Sequence, residues 1–366
     1  MTGLPPVAAI TRFLDDPTSG DFDELALVAF EFQYRRIDAY RRLCDARGAT
    51  PATVRRWQDV PAVPASAFKT LPLAAAPSRR AFRSSGTTAG PRRRSVHYQP
   101  FPQLYESAVD ASFPVFCLPA TLTAGGTPPM LSLIPTSRQV PDSSLSFMID
   151  RVLARWGGAD SATAFGLSGV DTAAATAWAK ERAAGERPVL VLATALALLQ
   201  WLERLRADRL HLALPAGSVV FETGGFKGRE REVTRAELLA LLEEGLAVPP
   251  ERVVREYGMT ELSSQFYTRS LTGGDPDLFF GPPWTRVRLL EPRSLEPCAP
   301  GEPGLVAVFD LANLGSAVHV LTEDLGVAEP VPSTPTASSA GFRLLGRAAG
   351  AELRGCSLTA EELARS

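Results

Sequence analysis

The stretch FRSSGTTAGPRRRSVHY (residues 82–98) joins glycines, closely spaced hydroxyl side chains and three consecutive arginines. Gly86 and Gly90 allow backbone N–H groups to converge on an anion. Arg92 to Arg94 would offset the charge of a polyphosphate. The common phosphate-binding pattern G-x-x-x-x-G-K-[ST] is absent, and Arg92 lies where a lysine would be expected. Taken alone, the stretch fits either a phosphate-binding loop, with donors from Ser84, Ser85, Thr87 and Thr88, or a solvated hairpin loop with a basic flank.

A second segment, REYGMTELSSQFY (residues 255–267), favours the first interpretation. Tyr257 can stack on a base, Thr260 can donate to a phosphate, and Glu261 can hold Mg²⁺. Each of these residues also has an ordinary explanation, with Gly258 as a simple turn and Glu261 as a surface charge. The occurrence of both segments in this order by chance is much less expected than the chance occurrence of either segment alone.

Composition restricts the class of protein. The chain has 366 residues, of which 45% are hydrophobic and 21% charged, enough for a full core in one large or two smaller domains. A net charge of −2 provides no global attraction to nucleic acid or to an anionic membrane.

The most apolar run, 189–202, is too short to cross a bilayer and predicts a buried strand leading into a helix. The first twenty residues lack a secretory signal pattern, and the four cysteines lack paired spacing. We therefore expect a cytoplasmic, reduced protein with no membrane insertion and no zinc site.

The pattern of apolar residues predicts an α/β protein. Residues 22–46 have helical spacing, and the proline-rich connection 59–73 is expected to be extended. A capping box at Thr234 and Glu237 predicts a helix that ends at Gly245. Residues 331–341 have the composition of a linker. We divide the chain into a helical region with its extended connection (1–75), an ATP- and acyl-binding core (76–330), and a linker with a short C-terminal segment (331–366). Predicted strands are 129–135, 187–193, 217–222 and 304–310.

These motifs resemble those of the adenylate-forming superfamily, which includes acyl-CoA and phenylacetate-CoA ligases. The first segment is similar to S-S-G-T-T-x-G-x-P-[KR] and the second to Y-G-x-T-E. Thr322 and Asp324 resemble a T-x-D turn whose aspartate binds ribose, and Gly346 with Arg347 resembles the Gly-Arg pair before the C-terminal portion. The resemblance implies the large-domain fold of that superfamily, with mixed β-sheets flanked by helices, and a requirement for ATP and Mg²⁺. It implies nucleotide binding by Ser84, Ser85, Gly86, Thr87, Thr88, Gly90, Arg92, Glu222, Thr223, Gly224, Gly225, Tyr257, Gly258, Met259, Thr322 and Asp324.

Within that superfamily the chain resembles the LuxE family of acyl-protein synthetases nearly end to end. Segments that carry this resemblance include VPASAFKT, ETGGFKGRERE, GPPWTRVRLLEP and LGRAAGAELRGCSL. The resemblance implies a ligase that activates a fatty acid as acyl-adenylate and transfers the acyl group to a protein cysteine, for delivery to a partner reductase. Two alternatives stay open: transfer to coenzyme A, a carrier protein or an amine, and a non-catalytic nucleotide- or acyl-binding subunit.

The sequence departs from ordinary acyl-CoA ligases after Arg347, where only residues 348–366 follow and no lysine occurs after Lys227. The usual small domain, with its lysine, is expected to be replaced by a truncated segment, so Lys69, Arg92, Lys227 and Arg347 are candidates for the missing charge. Cys356 precedes a capping box at Thr359 and Glu362, and a helix end and Arg354 would favour its thiolate. The resemblance makes Cys356 the acyl acceptor, while packing roles are favoured for Cys44, Cys117 and Cys298. The expected catalytic residues are Thr260, Glu261, which also holds the metal, Lys227, Arg347 and Cys356.

Overall fold

The computed structural model of the chain describes residues 6–85, 94–225, 233–330 and 340–348. The chain forms two compact units. The first comprises Met1–Ala111, Met259–Gln265 and Phe280–Ser366, and the second comprises Ser112–Gly258 and Phe266–Phe279. No helix in the described part of the chain has the length and hydropathy needed to cross a membrane.

Helices and strands alternate through much of the described chain. The α-helices are α1 (Val7–Asp15), α2 (Phe22–Arg36), α3 (Asp38–Ala46), α4 (Pro102–Cys117), α5 (Ala120–Thr123), α6 (Ser144–Trp156), α7 (Thr172–Ala183), α8 (Ala195–Ala207) and α9 (Arg235–Leu246). The strands are β1 (Val63–Pro64), β2 (Ala81–Arg83), β3 (Val96–Tyr98), β4 (Met130–Ser132), β5 (Ala162–Thr163), β6 (Phe165–Gly166), β7 (Gly169–Val170), β8 (Leu190–Thr194), β9 (Val219–Thr223), β10 (Val253–Tyr257), β11 (Phe266–Thr268), β12 (Leu278–Phe280), β13 (Thr285–Leu290), β14 (Gly304–Asp310), β15 (His319–Pro330) and β16 (Ala340–Arg347).

The second unit contains a parallel sheet in the order β5-β4-β8-β9-β10, with β11 added antiparallel to β10. Helices α6 to α9 lie in the connections between successive parallel strands, as a parallel sheet requires. Each of these helices begins at a residue whose side chain accepts a hydrogen bond from the first turn, namely Ser143, Asp171, Thr194 and Thr234. Strand β9 is buried throughout: its first three residues, Val219 to Phe221, form an apolar run, and Glu222 and Thr223 are buried polar residues at its carboxyl end.

The first unit combines α1 to α3 with an antiparallel sheet in the order β13-β14-β15-β16. Strand β1 pairs in parallel with β15, and β2 and β3 form a separate hairpin. Phe22 of α2 lies edge-on to Trp57 and Phe309, with ring centroids 6.1 and 5.8 Å away. The Gln33 side chain donates to the carbonyls of Asn313 and Leu314 and accepts from Val318 N, which fixes α2 to the segment between β14 and β15.

Most of the predicted elements are present. The helical region 22–46 is confirmed as α2 and α3, and the strand predicted at 304–310 is β14. The run 189–202 is confirmed as a buried strand, β8, leading into α8. The connection 59–73 is less extended than predicted, since short 3₁₀ turns at Trp57–Asp59 and Ala65–Lys69 flank β1.

The predicted end of α9 at Gly245 is wrong. The helix continues to Leu246, and Ala247 takes the left-handed conformation with φ 54°. Gly245 instead serves packing, because a Cβ there would lie 3.2 Å from Leu202 Cδ2 of α8. The predicted linker 331–341 lies outside the described residues up to 339, and residues 340 and 341 begin β16.

Candidate active site

In the second unit, two predicted motifs meet at the carboxyl edge of the parallel sheet. Glu256 of β10 lies opposite Thr223 of β9 in the parallel register. The Thr223 hydroxyl donates to Glu256 Oε2. Gly224 and Gly225 follow β9, and Gly224 has φ +80°, which favours glycine. In open parallel sheets ligands bind at this edge, and Thr223, Gly224 and Gly225 of the predicted nucleotide site lie there.

The end of β10 shows why the second motif requires a tyrosine followed by glycine. The Tyr257 ring is packed by Phe266 and Phe279, each with its centroid 6.1 Å away. A Cβ at Gly258 would lie 2.2 Å from Glu256 Oε1, so any other residue would displace that carboxylate. The glycine therefore leaves room for the Glu256 carboxylate.

Glu222, one of the residues predicted to bind the nucleotide, is buried in an ion-pair network. Its Oε2 lies 3.2 Å from Arg235 Nη1 and 3.7 Å from Arg255 Nε. Asp277 Oδ1 contacts the same two guanidinium groups at 3.2 and 2.8 Å. Because these arginines hold the Glu222 carboxylate, we expect any contact of Glu222 with a nucleotide to come from its backbone.

Sequence reasoning did not single out Glu256, the most unusual carboxyl group at this edge. Burial raises its pKa to about 7; the Thr223 hydrogen bond opposes this shift and nearby Glu222 adds to it. The folded state therefore binds more protons than the unfolded state between about pH 4.5 and pH 7. By linkage, stability falls as pH rises through that window, and the cost of the buried charge is fully present above pH 7.

We expect Glu256→Gln to remove this pH dependence. The amide oxygen can still accept from Thr223, while the buried charge is gone. Urea unfolding should show the variant to be more stable than the wild type at pH 8.5, by roughly 2 kcal/mol, with the gain lost at pH 5. Glu243→Gln, at an exposed position on α9, is the matched control. An equal difference at both pH values would contradict the assignment.

In the first unit, a buried polar network holds the turn that contains Thr260 and Glu261. His97, in β3 just after the arginine-rich loop, has Nδ1 2.7 Å from the Thr260 carbonyl oxygen. Its Nε2 lies 2.7 Å from Asn313 Oδ1. The Asn313 amide nitrogen donates to the Glu261 carbonyl oxygen at 2.8 Å. The backbone on both sides of the Thr260–Glu261 peptide is thereby fixed by the hairpin and by the segment after β14.

Asp310, the last residue of β14, anchors the other end of the turn. Its Oδ2 accepts from the backbone N–H groups of Ser263 and Ser264 at 3.0 and 2.8 Å. Its Oδ1 accepts from the Ser264 hydroxyl at 2.7 Å and from Ala312 N at 3.0 Å. Burial raises the pKa of Asp310 to about 6, and these hydrogen bonds partly offset the shift. The carboxylate accounts for four donors that a shorter or neutral side chain could not all satisfy.

The side chain of Glu261 lies where three predicted motifs meet. Ser95, at the base of the hairpin loop, hydrogen-bonds to its carboxylate through its side chain, and the charges of Lys69 and Glu323 act on it. Burial raises its pKa, while Ser95 and Lys69 oppose that shift and Glu323 adds to it. Glu261 is thus a desolvated carboxylate between the hairpin and β15. Its oxygens are the ligand type that Mg²⁺ prefers, so the residues fit the predicted metal role.

The base of the hydroxyl-rich loop is closed by reciprocal hydrogen bonds. Ser84 N donates to the Ser95 carbonyl at 3.1 Å, and Ser95 N donates to Ser84 Oγ at 2.9 Å. The loop therefore connects β2 to β3, and its two ends meet at the Ser84–Ser95 pair, of which Ser95 hydrogen-bonds to Glu261. Of the predicted site residues, Gly86, Thr87, Thr88, Gly90, Arg92, Lys227 and Cys356 lie outside the described residues.

Strand β15 brings the predicted ribose-binding residue close to Arg347. Asp324 is opposite Arg347 in the register of β15 and β16, and its N–H donates to Thr322 Oγ1 at 3.1 Å. Arg347 Nε lies 3.7 Å from Asp324 Oδ1, and the Arg347 side chain is largely exposed. An ion pair at this separation with one exposed partner contributes little to stability, so Arg347 can reorient towards a ligand at low energetic cost.

Comparison with known proteins places the chain in a family. The family described as "Acyl-protein synthetase, LuxE" matches residues 178–364, just over half of the chain. The chain belongs to the LuxE acyl-protein synthetase family. The matched region of this LuxE-family protein includes the β9 and β10 motifs, the Glu261 turn, Asp324 and the residues up to 364.

A relative from Aliivibrio fischeri, named long-chain-fatty-acid–luciferin-component ligase, is 25% identical over 126 residues. That match covers 34% of the LuxE-family chain and only 30% of the relative's length.

Two solved structures of 2-hydroxyisobutyryl-CoA ligase, both in complex with 2-HIB-AMP and CoA, have similar folds. The open conformation has a TM-score of 0.64 at 14% identity, covering 94% of this chain and 80% of that one. The thioesterification state has the same TM-score and identity, covering 94% and 72%. The predicted adenylate-forming α/β fold is thereby confirmed.

Sequence reasoning missed His97, Asp310 and Asn313. The sequence signals are weak: His97 is one of only three histidines and follows a basic loop, while Asp310 ends the wholly buried β14 and Asn313 follows three residues later. Their partners in the Thr260–Ser264 turn lie 46 to 163 residues away, so no local pattern identifies these contacts.

Proposed function

We propose that this LuxE-family protein activates a fatty acid with ATP as an acyl-adenylate and then transfers the acyl group to the thiol of Cys356. The observation that carries the proposal is the convergence on Glu261 of the hydroxyl-rich hairpin, the Thr260–Glu261 turn and the β15 motif. These are three of the segments that the adenylate-forming resemblance assigns to one nucleotide site.

The described residues have distinct parts in the first step. The substrate carboxylate oxygen attacks the α-phosphorus of ATP, and the bond to the pyrophosphate oxygen breaks. Ser84, Ser85 and the loop they begin would hold the β- and γ-phosphates, with Thr260 as a further donor. Asp324 would bind the ribose hydroxyls. Mg²⁺, held by Glu261, would neutralise charge on the phosphates. Fixing the Thr260–Glu261 backbone in advance lowers the cost of ordering the site in the transition state.

The basic residues near Glu261 are candidates to replace the lysine of the usual small domain. Lys69 is the lysine whose charge acts on the Glu261 carboxylate. Arg347 is exposed beside Asp324. We favour Lys69 as a source of positive charge for the adenylation step. Arg347 would lie next to the ribose, which Asp324 is proposed to bind. Both were among the candidates from the sequence.

In the second step the Cys356 thiolate attacks the acyl carbonyl, a C–S bond forms, and AMP leaves as the C–O bond breaks. The thiol proton goes to solvent before the attack. In the part of the chain that the structure describes, each cysteine has a pKa above its ordinary value, which disfavours its thiolate. Burial raises the pKa of Cys44 to about 12 and that of Cys117 well above its usual value, and the pKa of Cys298 is also raised. A thiol that stays protonated does not attack at neutral pH. A reductase that collects the acyl group is the proposed partner, by family resemblance.

We expect Cys356→Ser to separate the two steps. Incubated with ATP, Mg²⁺ and a radiolabelled long-chain acid, the variant should still release pyrophosphate. Hydroxylamine-sensitive label on the protein should fall by at least about twentyfold, since a thiolate is the nucleophile for the second step. Cys298→Ser is the matched control and should keep its label. Label that survives in Cys356→Ser would remove Cys356 from this role, and label appearing only on added coenzyme A, carrier protein or amine would identify another acceptor.

A further inference from the structure

The first unit contains a cavity of about 660 Å³ that the proposed reaction does not use. Its size is within the range of ligand-binding pockets. Three arginines, Arg47, Arg56 and Arg288, line it together with the acidic Asp59 and Glu296. The remaining wall is mainly apolar and includes Ala62, Leu290, Leu295 and Leu321.

Two buried acceptors in this lining have no partner within the described chain. His319, only 2% exposed, lines the cavity with its Nδ1 2.8 Å from the Val60 carbonyl oxygen. A carbonyl can only accept, so Nδ1 carries the proton and Nε2 presents a lone pair. Burial lowers the pKa of His319 to about 4, which keeps the ring neutral. Both His319 Nε2 and Gln58 Oε1 are buried without a hydrogen-bond partner among the described residues. Unsatisfied buried acceptors indicate an occupant that brings N–H or O–H donors.

The end of β16 leads directly to this cavity. Ala348 N donates to the Glu323 carbonyl at 2.9 Å. Ala348 belongs to a small apolar cluster that also contains Leu290 and Leu321, with Ala62 and Leu295 packed against it. All four of these neighbours of Ala348 also line the cavity. The sequence therefore leaves the described structure at the cavity wall, and a tether this short produces a high effective concentration.

The residues after Ala348 have the chemistry that the cavity lacks. The sequence AGAELRGCSLTAEELARS (349–366) supplies backbone N–H groups and the hydroxyls of Ser357 and Thr359. Glu352 would complement the arginines, and Leu353 would complement the apolar wall. Five extended residues span up to about 17 Å, so Leu353 can reach the part of the wall that lies beside Ala348.

We propose that the cavity is the docking site for the chain's own residues 349–366, which holds Cys356 against the first unit between acyl transfers. Donors of this segment satisfy His319 Nε2 and Gln58 Oε1, and Glu352 pairs with the arginines of the cavity. Docking in this sense does not require that adenylation occurs, so it can fail or succeed independently of the proposed reaction.

The test compares the full-length wild type with Ala62→Trp, which fills the cavity from a half-buried position. Alkylation of Cys356 by iodoacetamide is followed by mass spectrometry and normalised to the rate in urea. Hydrogen exchange of the 349–366 peptide is measured in parallel. We expect both rates to rise at least about fivefold in the variant, because local opening exposes the segment. Unchanged rates, or wild-type exchange as fast as that of an unstructured peptide, would overturn the proposal.

A second experiment, which exchanges the charges of two residues, tests the proposal if Ala62→Trp fails to fold. Arg56 is exposed at the cavity and pairs with Asp59. Arg56→Glu should accelerate Cys356 alkylation, and adding Glu352→Arg should restore the slow rate. Arg35→Glu, at an exposed position on α2, should have no effect. Acceleration without restoration, or a slow rate in Arg56→Glu alone, would contradict docking of this segment.

Discussion

Glu261→Gln is expected to lower fatty-acid-dependent ATP–pyrophosphate exchange at least about a thousandfold, or about 4 kcal/mol in the barrier. The carboxylate is buried, hydrogen-bonded through Ser95, and placed where the hairpin loop and β15 meet. A neutral amide of the same shape keeps the packing but provides neither the charge nor the two equivalent oxygens that a divalent cation requires. The loss should persist at saturating ATP, because the variant would still bind ATP but would not neutralise the negative charge of its phosphates.

The matched control is Glu323→Gln, which removes the neighbouring negative charge that raises the pKa of Glu261. We expect exchange by this variant to stay within about threefold of the wild type, because the ionised form of Glu261 is then easier to maintain. Full exchange activity in Glu261→Gln would show that the phosphates and metal are bound elsewhere.

Asp310→Asn is expected to destabilise the protein by about 3 kcal/mol and to lower exchange at least about a hundredfold. The carboxylate accepts four hydrogen bonds, from Ser263 N, Ser264 N, Ser264 Oγ and Ala312 N. The asparagine amide has a single acceptor oxygen, so its NH₂ group must face two of these donors. The turn from Met259 to Gln265 then loses its anchor at Ser263 and Ser264, and Glu261 is held only through the His97 and Asn313 contacts.

Urea unfolding and exchange assays at a temperature where the variant remains folded separate the two effects. Asp38→Asn, in an exposed ion pair with Arg41, is the control and should cost less than about 0.5 kcal/mol. Wild-type stability together with wild-type exchange in Asp310→Asn would contradict the anchoring role.

The sequence was most informative where structure is set by local periodicity. β14 could be placed at Gly304–Asp310 because its run of apolar residues is continuous, and α9 begins where the Thr234 capping box predicts. The end of α9 was missed because Gly245 packs on α8, a tertiary contact that no helix-ending rule contains.

The motifs around Glu261 could be found from the sequence because they are contiguous. The residues that hold them could not. His97, Asp310 and Asn313 act through hydrogen bonds to backbone groups in distant segments, and the raised pKa of Glu256 comes mainly from its burial. Such roles depend on long-range packing rather than on residue type or spacing.

The central claim is that this LuxE-family chain primes a carboxylic acid on AMP by itself. ATP–pyrophosphate exchange by the purified wild-type protein, with Mg²⁺ and a series of fatty acids but no partner protein, tests it most directly. The account predicts exchange that depends on both the acid and Mg²⁺ and disappears in Glu261→Gln. Absence of exchange with every acid in the series would contradict it.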